Sequence, residues 1–306
     1  MNKLAYFLVV ISLFFGCDNK SKVATDTPTT GNIIILADEC YKPILDTEIM
    51  VFESQYKNAK INVIYRPAID VIKEIYNDSF RILLSSIVPD SNSLRKYKEM
   101  KGYEAKTTVL AKDAVAVIVN NDKKGLKLSL SDLKNILNGQ ISDFSQIKGS
   151  GKSGRINIVF DNQKSSTVVY MQDSILKGDK LSSNVYAQNT NEEVMKYVKN
   201  NSNALGIIGV SWISDEADEM AQEFSKDISM VEIGKDNDVY FYKPNMGYIA
   251  IHKYPLRRLM QSTLREGGPG LGRGFVNFMT SEIGQKIILK SGLVPSTVLT
   301  RVVEVN

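Results

Sequence analysis

Residues 155–178 combine a strand, a polar turn and a helix start, an arrangement that could bind an anion. A β-branched apolar run up to Phe160 predicts a buried strand, and residues 161–165 interrupt it before apolar residues at helical spacing continue to Gly178. Ligands of open α/β sheets bind at the carboxyl ends of strands, where first-turn amides and the helix dipole favour negative charge. The alternative is that the hydroxyl residues of this turn only cap the helix. These hydroxyl residues are Ser165, Ser166 and Thr167.

A second junction of the same kind begins at residue 33. Residues 33–36 predict a short buried strand, and Leu45, Ile49 and Phe52 lie on one face of the helix that follows. A thiol at such a helix start could be modestly activated, although Cys40 is equally interpreted as a small packed side chain. The polar or reactive residues at this junction are Asp38, Glu39 and Cys40.

The order of the elements predicts an α/β fold. Residues 33–97 contain three strand–helix units, which indicates a mainly parallel sheet. We predict a longer strand at residues 109–120, another at residues 247–252, and a last long helix that ends at Gly292.

Composition limits the classes of function. The chain has 306 residues, of which 43% are hydrophobic and 24% charged, and this suffices for about two domains. The net charge of +4 is spread without a dense basic block, so nucleic acid is not expected as a partner. With one histidine and two cysteines, no metal site or nucleophile cluster is visible, and we expect neither a cofactor nor an enzyme. A phosphatase is the enzymatic alternative.

The N-terminus predicts export and lipid anchoring. The apolar run after Lys3 is too short for a membrane span and is typical of a secretory signal, residues 1–17. Cys17 follows this run after a small residue and resembles a bacterial lipobox cysteine, so we predict that a lipid is attached to its sulfur. Residues 18–30 lack apolar periodicity and are typical of a flexible tether. The body would therefore lie outside the cytoplasm, anchored to the lipid bilayer at the periplasmic or cell surface.

Five motifs along residues 33–303 carry a family resemblance: DAVAVIVN, NILNGQISDF, VFDNQKSSTVVY, NALGIIGVSWI and GQKIILKSGLVP. Together they resemble the periplasmic phosphate-binding proteins of ABC uptake, the PstS-like group, and most of all its Bacteroidetes-type lipoproteins. The resemblance implies a type II periplasmic binding protein fold, in which two doubly wound α/β lobes are joined by two crossing strands. Lobe one would comprise residues 31–118 and 246–306, and lobe two residues 119–245. The hinge would lie near residues 118–120 and 245–248.

The resemblance also implies ligand positions. The family's Ser-Gly-Thr triplet falls on residues 165–167, its first-turn ligands fall near Glu39 and Cys40, and its second-turn serine falls near Ala68. Asp161 and Gln163 stand where many members have an arginine and an aspartate. Two of the family's charged ligands are therefore missing from their usual places.

We hypothesise that other residues replace these ligands. A carboxylate that accepts the proton of phosphate also repels fully ionised sulfate, and Asp38, Glu39 or Asp161 could supply it. Arg66 could supply the cation. The predicted ligand-binding residues are Asp38, Glu39, Cys40, Arg66, Ala68, Ser86, Asp161, Gln163, Ser165, Ser166 and Thr167.

The function that the resemblance implies is capture of an oxyanion, foremost inorganic phosphate, between two lobes that close by hinge motion. The protein would be a monomer that delivers the anion to the membrane subunits of an ABC permease. The alternative is an anion-sensing or interaction lipoprotein of the same fold that is not coupled to uptake.

Overall fold

The computed structural model describes residues 26–214 and 219–297. Cys17 and the predicted signal lie outside these residues, as does most of the predicted tether, so the lipid anchor stays a prediction. Among the described residues, no helix is both long enough and apolar enough to cross a bilayer.

Twelve strands lie in the described part of the chain. They are β1 (Gly31–Asp38), β2 (Ala59–Arg66), β3 (Phe80–Ser85), β4 (Lys106–Asn120), β5 (Lys127–Ser129), β6 (Asn157–Phe160), β7 (Val185–Ala187), β8 (Ala204–Gly209), β9 (Ile228–Met230), β10 (Glu232–Gly234), β11 (Arg257–Leu264) and β12 (Val294–Pro295).

Ten α-helices accompany these strands in the same residues. They are α1 (Lys42–Gln55), α2 (Ala68–Lys73), α3 (Ser91–Lys101), α4 (Leu130–Leu137), α5 (Ser166–Tyr170), α6 (Asn191–Asn200), α7 (Glu219–Ser225), α8 (Met246–Ala250), α9 (Leu271–Thr280) and α10 (Glu282–Lys290). A single tight helical turn, Glu39–Tyr41, leads into α1, and wider π-helical turns extend α5 as far as Leu176.

Eight of these strands form a curled sheet with the order β2-β1-β3-β11-β4-β8-β6-β7; β9 and β12 also pair with β4, and β5 pairs with β10 in a separate two-stranded sheet. Strands β1, β2 and β3 pair in parallel, as do β6, β7 and β8, which agrees with the strand–helix units predicted for each region. At the centre, β11 runs antiparallel to β3 and β4, and β4 runs antiparallel to β8. The carboxyl ends of β1 and β6 therefore face each other across the middle of the molecule, where the two predicted junctions meet.

Strand β4 joins the two halves of the sheet. Its first half pairs with β11 up to Ala114, and its second half pairs with β8 from Val115 onward. Every residue from Ala114 to Val119 is buried, as the apolar run predicts. Next to the exchange point, the Val115 N–H donates to the Leu256 carbonyl at 2.9 Å, so β4 and the start of β11 cross the molecule side by side.

Two sequence predictions of secondary structure were wrong. Residues 247–252 are not a strand, because Asn245 caps α8 through its side chain and the chain then turns. The strand of this region is β11, which begins at Arg257 and was not predicted. The predicted last helix is two helices, because Ser281 ends α9 in an extended conformation and caps α10 with its hydroxyl.

The larger hydrophobic core lies between the sheet and the helices and runs through both halves. In the first half, the Phe52 ring of α1 packs edge-on against the rings of Phe275 and Phe278 of α9, each at a centroid distance of 5.2 Å. Ring pairs of this kind add about 0.5–1.5 kcal/mol beyond the area that they bury. This packing fixes α1, and with it the acidic turn at its start.

Candidate anion-binding site

The helix start at Ser165 is built as the sequence predicts. The Ser165 hydroxyl accepts the Val168 N–H at 3.2 Å and lies 2.8 Å from the Thr167 hydroxyl. Ser165, Ser166 and Thr167 are all buried, and the first-turn N–H groups of a helix have no partner within the helix itself. The turn therefore both caps the helix and presents donors to the centre of the molecule, so the two interpretations of the sequence are compatible.

An arginine that the sequence analysis did not select, Arg258 of β11, reaches this helix start. Its Nη1 donates to the Ser166 hydroxyl at 3.0 Å, and its Nη2 lies 2.7 Å from the Cys40 sulfur. Its Nε donates to the Asp113 carboxylate at 2.7 Å, and the Tyr41 hydroxyl donates to the same oxygen at 2.9 Å. Arg258 is thus held in a fixed orientation, with two of its three nitrogens directed at the turns after β1 and β6.

Strand register explains the pairing of Arg258 with Asp113. The two residues are direct cross-strand partners on β11 and β4, and both side chains are buried. Burial lowers the pKa of the guanidinium, but Asp113 and the other acids nearby outweigh burial and hold the pKa well above its ordinary value. Arg258 therefore remains charged, and its charge lies beside the place where the two halves of the sheet cross.

Three carboxyl groups surround the same space. Asp38 is the last residue of β1 and Asp161 directly follows β6; the two are only 1% and 2% exposed, and Glu39 follows Asp38 directly. We call the cluster of side chains formed by Asp38, Glu39, Asp161, Ser166 and Arg258 the seat. Burial raises the pKa of Asp38 to about 6, and that of Glu39 to about 7. Burial also raises the pKa of Asp161. Proton uptake by the seat is therefore easy near neutral pH.

Asn191, at the start of α6, connects the acids of the two halves. Its Nδ2 donates to Glu39 Oε2 at 2.6 Å and to Asp161 Oδ2 at 3.2 Å, and its Oδ1 accepts the Gly209 N–H at 3.1 Å. The second oxygen of Asp161 accepts the Thr167 hydroxyl at 2.6 Å. Asp161 is thus fully satisfied by the protein, whereas the Asp38 Oδ2 and Glu39 Oε1 atoms are buried without a hydrogen-bond partner.

Further contacts close the cleft above the seat. The Cys40 carbonyl accepts the Trp212 indole N–H at 3.0 Å and the Ser211 hydroxyl at 3.3 Å. On another side, the Lys164 carbonyl accepts the Ile69 N–H at 3.1 Å. Each of these bonds joins the first half of the sheet to the second, so the structure represents a closed arrangement.

Comparison of the whole chain with known proteins shows which family has this sequence and this fold. The family model of the PBP superfamily domain matches residues 22–282 of the chain. The chain belongs to this superfamily. It is 24% identical over 297 residues to the phosphate-binding protein PstS of Borreliella burgdorferi, with coverage of 94% of this chain and 95% of that protein. The corresponding protein of Bacillus subtilis is 21% identical over 283 residues, covering 91% of this chain and 85% of that one.

Solved structures of PBP proteins agree with the fold. A putative phosphate ABC transporter substrate-binding protein with bound phosphate, from Clostridium perfringens, has a TM-score of 0.72 at 20% identity and covers 87% of this chain. All of that protein's chain is covered in return. An ABC-type phosphate transport receptor from Vibrio cholerae has a TM-score of 0.63 at 19% identity, covering 87% of this chain and 100% of that one. The predicted type II fold and the PstS-like resemblance are confirmed, while the Bacteroidetes-type subgroup stays a prediction.

The cleft of this PBP protein continues outward from the seat as a cavity of about 290 Å³. Glu39 and Asp161 belong to both the seat and this outer cavity, and Lys42, Arg66 and Trp212 line its rim. Arg66, the predicted cation, bonds Glu74 at 3.2 Å and is half exposed. Arg66 thus lies in the outer cavity, whereas Arg258 is the arginine that contacts Ser166 in the seat.

The other predicted residues fall into two groups. Asp38, Glu39, Cys40, Asp161 and residues 165–167 converge on the seat, as described above. Gln163 is exposed on the turn before α5, and Ala68 is the buried first residue of α2. Ser86 is half-buried just after β3, with no contact to the seat among the interactions described. Asp113, Asn191 and Arg258 were not predicted as site residues. The sequence offers a signal only for Asp113, which is a lone acid next to the apolar run of β4.

Proposed function

We propose that this protein works outside the cytoplasm, where it captures an inorganic oxyanion, foremost phosphate, in the closed seat. It then delivers the anion to the membrane subunits of an ABC permease. The observation that carries the proposal is the charged, buried Arg258, whose Nη1 donates to Ser166 in the Ser165–Thr167 turn and whose Nη2 lies against Cys40. A guanidinium and helix-start amides are strong donors to phosphate oxygens. The two similar solved proteins are described as a putative phosphate ABC transporter substrate-binding protein and an ABC-type phosphate transport receptor, which supports uptake over the sensing alternative.

The acids of the seat predict a preference for phosphate over sulfate. Phosphate near neutral pH carries a hydrogen that a carboxylate can accept, whereas sulfate brings acceptors only. The unpartnered oxygens of Asp38 and Glu39 would then lie against sulfate oxygens with no hydrogen between them. The seat therefore binds phosphate and the similarly protonated arsenate, and it rejects sulfate.

Calorimetry of the purified protein with phosphate, arsenate and sulfate at pH 7 tests the proposal. We expect the first two anions to bind and sulfate, which brings no hydrogen of its own, to bind far more weakly. The variant that combines Asp38→Asn with Glu39→Gln tests the basis of the selectivity, because its amides can donate to either anion. If this variant kept its full preference for phosphate over sulfate, the assignment of the two acids would be wrong.

Opening and closing would occur where β4 and the start of β11 cross. The exchange of partners at Val115 and its bond with Leu256 support a hinge here, a few residues from the predicted one at residues 118–120. The second crossing segment would be residues 254–257 instead of residues 245–248, which form the start of α8. The lobe boundaries would move accordingly.

Anchoring, oligomeric state and catalysis are further parts of the proposal. The lipid on Cys17 and the monomeric state rest on the sequence alone, and mass spectrometry of the protein from membranes and light scattering would test them. The matched relatives are named as binding proteins, so we expect no bond to be broken. Release of phosphate from p-nitrophenyl phosphate by the purified protein would contradict this expectation.

A further inference from the structure

Two buried carboxylate oxygens in the seat accept no hydrogen bond from the protein. Asp38 Oδ1 accepts the Cys40 N–H at 3.2 Å, while Asp38 Oδ2 has no hydrogen bond within 3.5 Å; the Ser166 hydroxyl is the nearby donor that partly offsets the rise of the Asp38 pKa on burial. Glu39 Oε2 accepts the Asn191 amide at 2.6 Å, but Glu39 Oε1 has no donor. An unpartnered buried polar atom costs about 1–3 kcal/mol, so each oxygen requires a hydrogen when the seat is filled.

The charges of the seat also favour the uptake of hydrogen, because its acids outnumber its cations. Asp38, Glu39 and Asp161 interact electrostatically with one another, and the nearest cation, Arg258, already neutralises Asp113. With all these acids ionised, the seat would be strongly negative. A doubly charged anion would meet this field without enough positive charge to balance it.

Other groups around the seat do not change this balance. Cys40 and Tyr41 remain neutral, because burial raises the pKa of both well above their ordinary values. At the rim, Lys42 pairs with Asp46 at 2.5 Å and Arg66 with Glu74 at 3.2 Å, so these cations are already matched by acids. Burial also raises the pKa of Tyr65, which lines the outer cavity, and of Tyr170 near Arg258, the latter to about 12, so both phenols are uncharged.

We propose that the filled seat holds two hydrogens between the bound phosphate and the Asp38 and Glu39 carboxyl groups, one for each unpartnered oxygen. Phosphate that arrives as the dianion brings one of them, and the second is taken up from the solvent as a proton. Phosphate that arrives as the monoanion brings both. The inference rests on the proposed function, and it makes binding in this protein a coupled uptake of anion and proton. The raised pKa values of Asp38 and Glu39, about 6 and about 7, agree with a seat that holds protons near neutrality.

The linkage between binding and protonation fixes the expected pH dependence. Above neutral pH, the free seat and the free dianion together carry one hydrogen fewer than the complex. The affinity therefore falls by about tenfold for each pH unit, because about one proton is taken up for each phosphate bound. An anion without any hydroxyl group, such as hypophosphite, must draw about two protons from the solvent and weakens about a hundredfold for each unit.

Calorimetry of the full-length protein at pH 8, in two buffers with different ionisation enthalpies, counts these protons directly. We expect about one proton taken up for each phosphate, and for hypophosphite either about two or no measurable binding. Phosphate binding at pH 8 without proton uptake overturns the inference and leaves the proposed function intact. Failure to bind phosphate anywhere between pH 5 and 9 overturns both.

Glu39→Gln identifies the residue responsible. The glutamine oxygen can still accept the hydrogen bond from the Asn191 amide. The glutamine NH₂ group then takes the place of Glu39 Oε1 and can donate a hydrogen bond to the phosphate. Proton uptake at pH 8 should fall from about one to about zero, and the affinity should no longer weaken between pH 8 and 9. Glu282→Gln is the matched control, because Glu282 pairs with Lys286 on the surface of α10, away from the seat and the outer cavity. If both variants kept the wild-type uptake, Glu39 would not be the acceptor.

Discussion

Replacing Arg258 with lysine tests whether the fork of the guanidinium, beyond its charge, is needed for binding. The guanidinium simultaneously contacts Asp113, Ser166 and Cys40 through its three nitrogens. A lysine has one ammonium group on a flexible stem, so it can stay with Asp113 or reach the ligand, but not both. Arg258→Lys therefore keeps the charge near Asp113 and loses the directed donors.

The structure sets the size of the effect. Nη1 and Nη2 are the donors that a bound anion would take over from Ser166 and Cys40, and a hydrogen bond to a charged group contributes about 1.5–3 kcal/mol. Loss of one such bond weakens phosphate binding by about ten- to 150-fold, and loss of both by up to about 10⁴-fold. The folded state should survive, since Asp113 keeps a cationic partner; without one, a buried acid costs about 3–5 kcal/mol.

Calorimetric titration with phosphate at pH 7, together with thermal unfolding, measures both quantities. Arg265→Lys is the matched control, because Arg265 is a buried arginine directly after β11 that donates to the Phe80 carbonyl at 2.6 Å, away from the seat. We expect this control to bind phosphate as the wild type does. Wild-type affinity in a folded Arg258→Lys variant would show that Arg258 is only a structural partner of Asp113.

Three further predictions concern closure and stability. Gly209→Ala should block closure and weaken phosphate binding, because a Cβ there would lie 2.3 Å from the Cys40 sulfur; Gly268→Ala, with nothing within 4 Å, should bind normally in the same titration. Peptide mapping should show slower alkylation of Cys40 when phosphate is present, since the closed cleft buries this thiol completely; equal rates would contradict closure. Glu48 is buried with neither oxygen partnered, and burial raises its pKa from 4.5 to about 9, so it is neutral in the folded protein but charged in the unfolded chain above pH 4.5. Glu48→Gln should therefore gain about 3 kcal/mol of unfolding free energy relative to the wild type at pH 7 and almost none at pH 4; a gain independent of pH would refute this reasoning.

The sequence predicts the parts of the fold and site that local patterns encode. The apolar run of β4, the helix face of α1 and the hydroxyl turn before α5 were all predicted at or near their observed places. In each of these segments, the residues that decide the structure lie within one turn or one strand. The error at residues 247–252 has a local cause as well, because a five-residue apolar segment is compatible with either a strand or a short helix and the Asn245 cap decides between them.

Contacts between segments that are far apart in the chain could not be predicted from the spacing of residues in the sequence. Arg258 and Asp113 are 145 residues apart in sequence, and only the antiparallel register of β11 on β4 makes them neighbours. Asn191 meets Glu39 across a separation of 152 residues for a similar reason, since α6 and the first turn come together only when the two halves close. The local sequence at Arg258, PLRRLM, contains two adjacent arginines and nothing that distinguishes the buried one.

The position of Arg258 links binding to movement. An arginine at the start of α5 would belong wholly to the second half of the sheet, whereas Arg258 lies on a strand that crosses between the halves and is anchored to Asp113 on the other crossing strand. Its Nη1 and Nη2 groups each donate to a residue of a different half, Ser166 and Cys40. An anion that takes over these donors therefore adds a charged link between the hinge and both walls of the cleft, and this link exists only when the cleft is closed. The anion therefore binds the closed state more tightly than the open state, and this difference in affinity is what shifts the equilibrium toward closure.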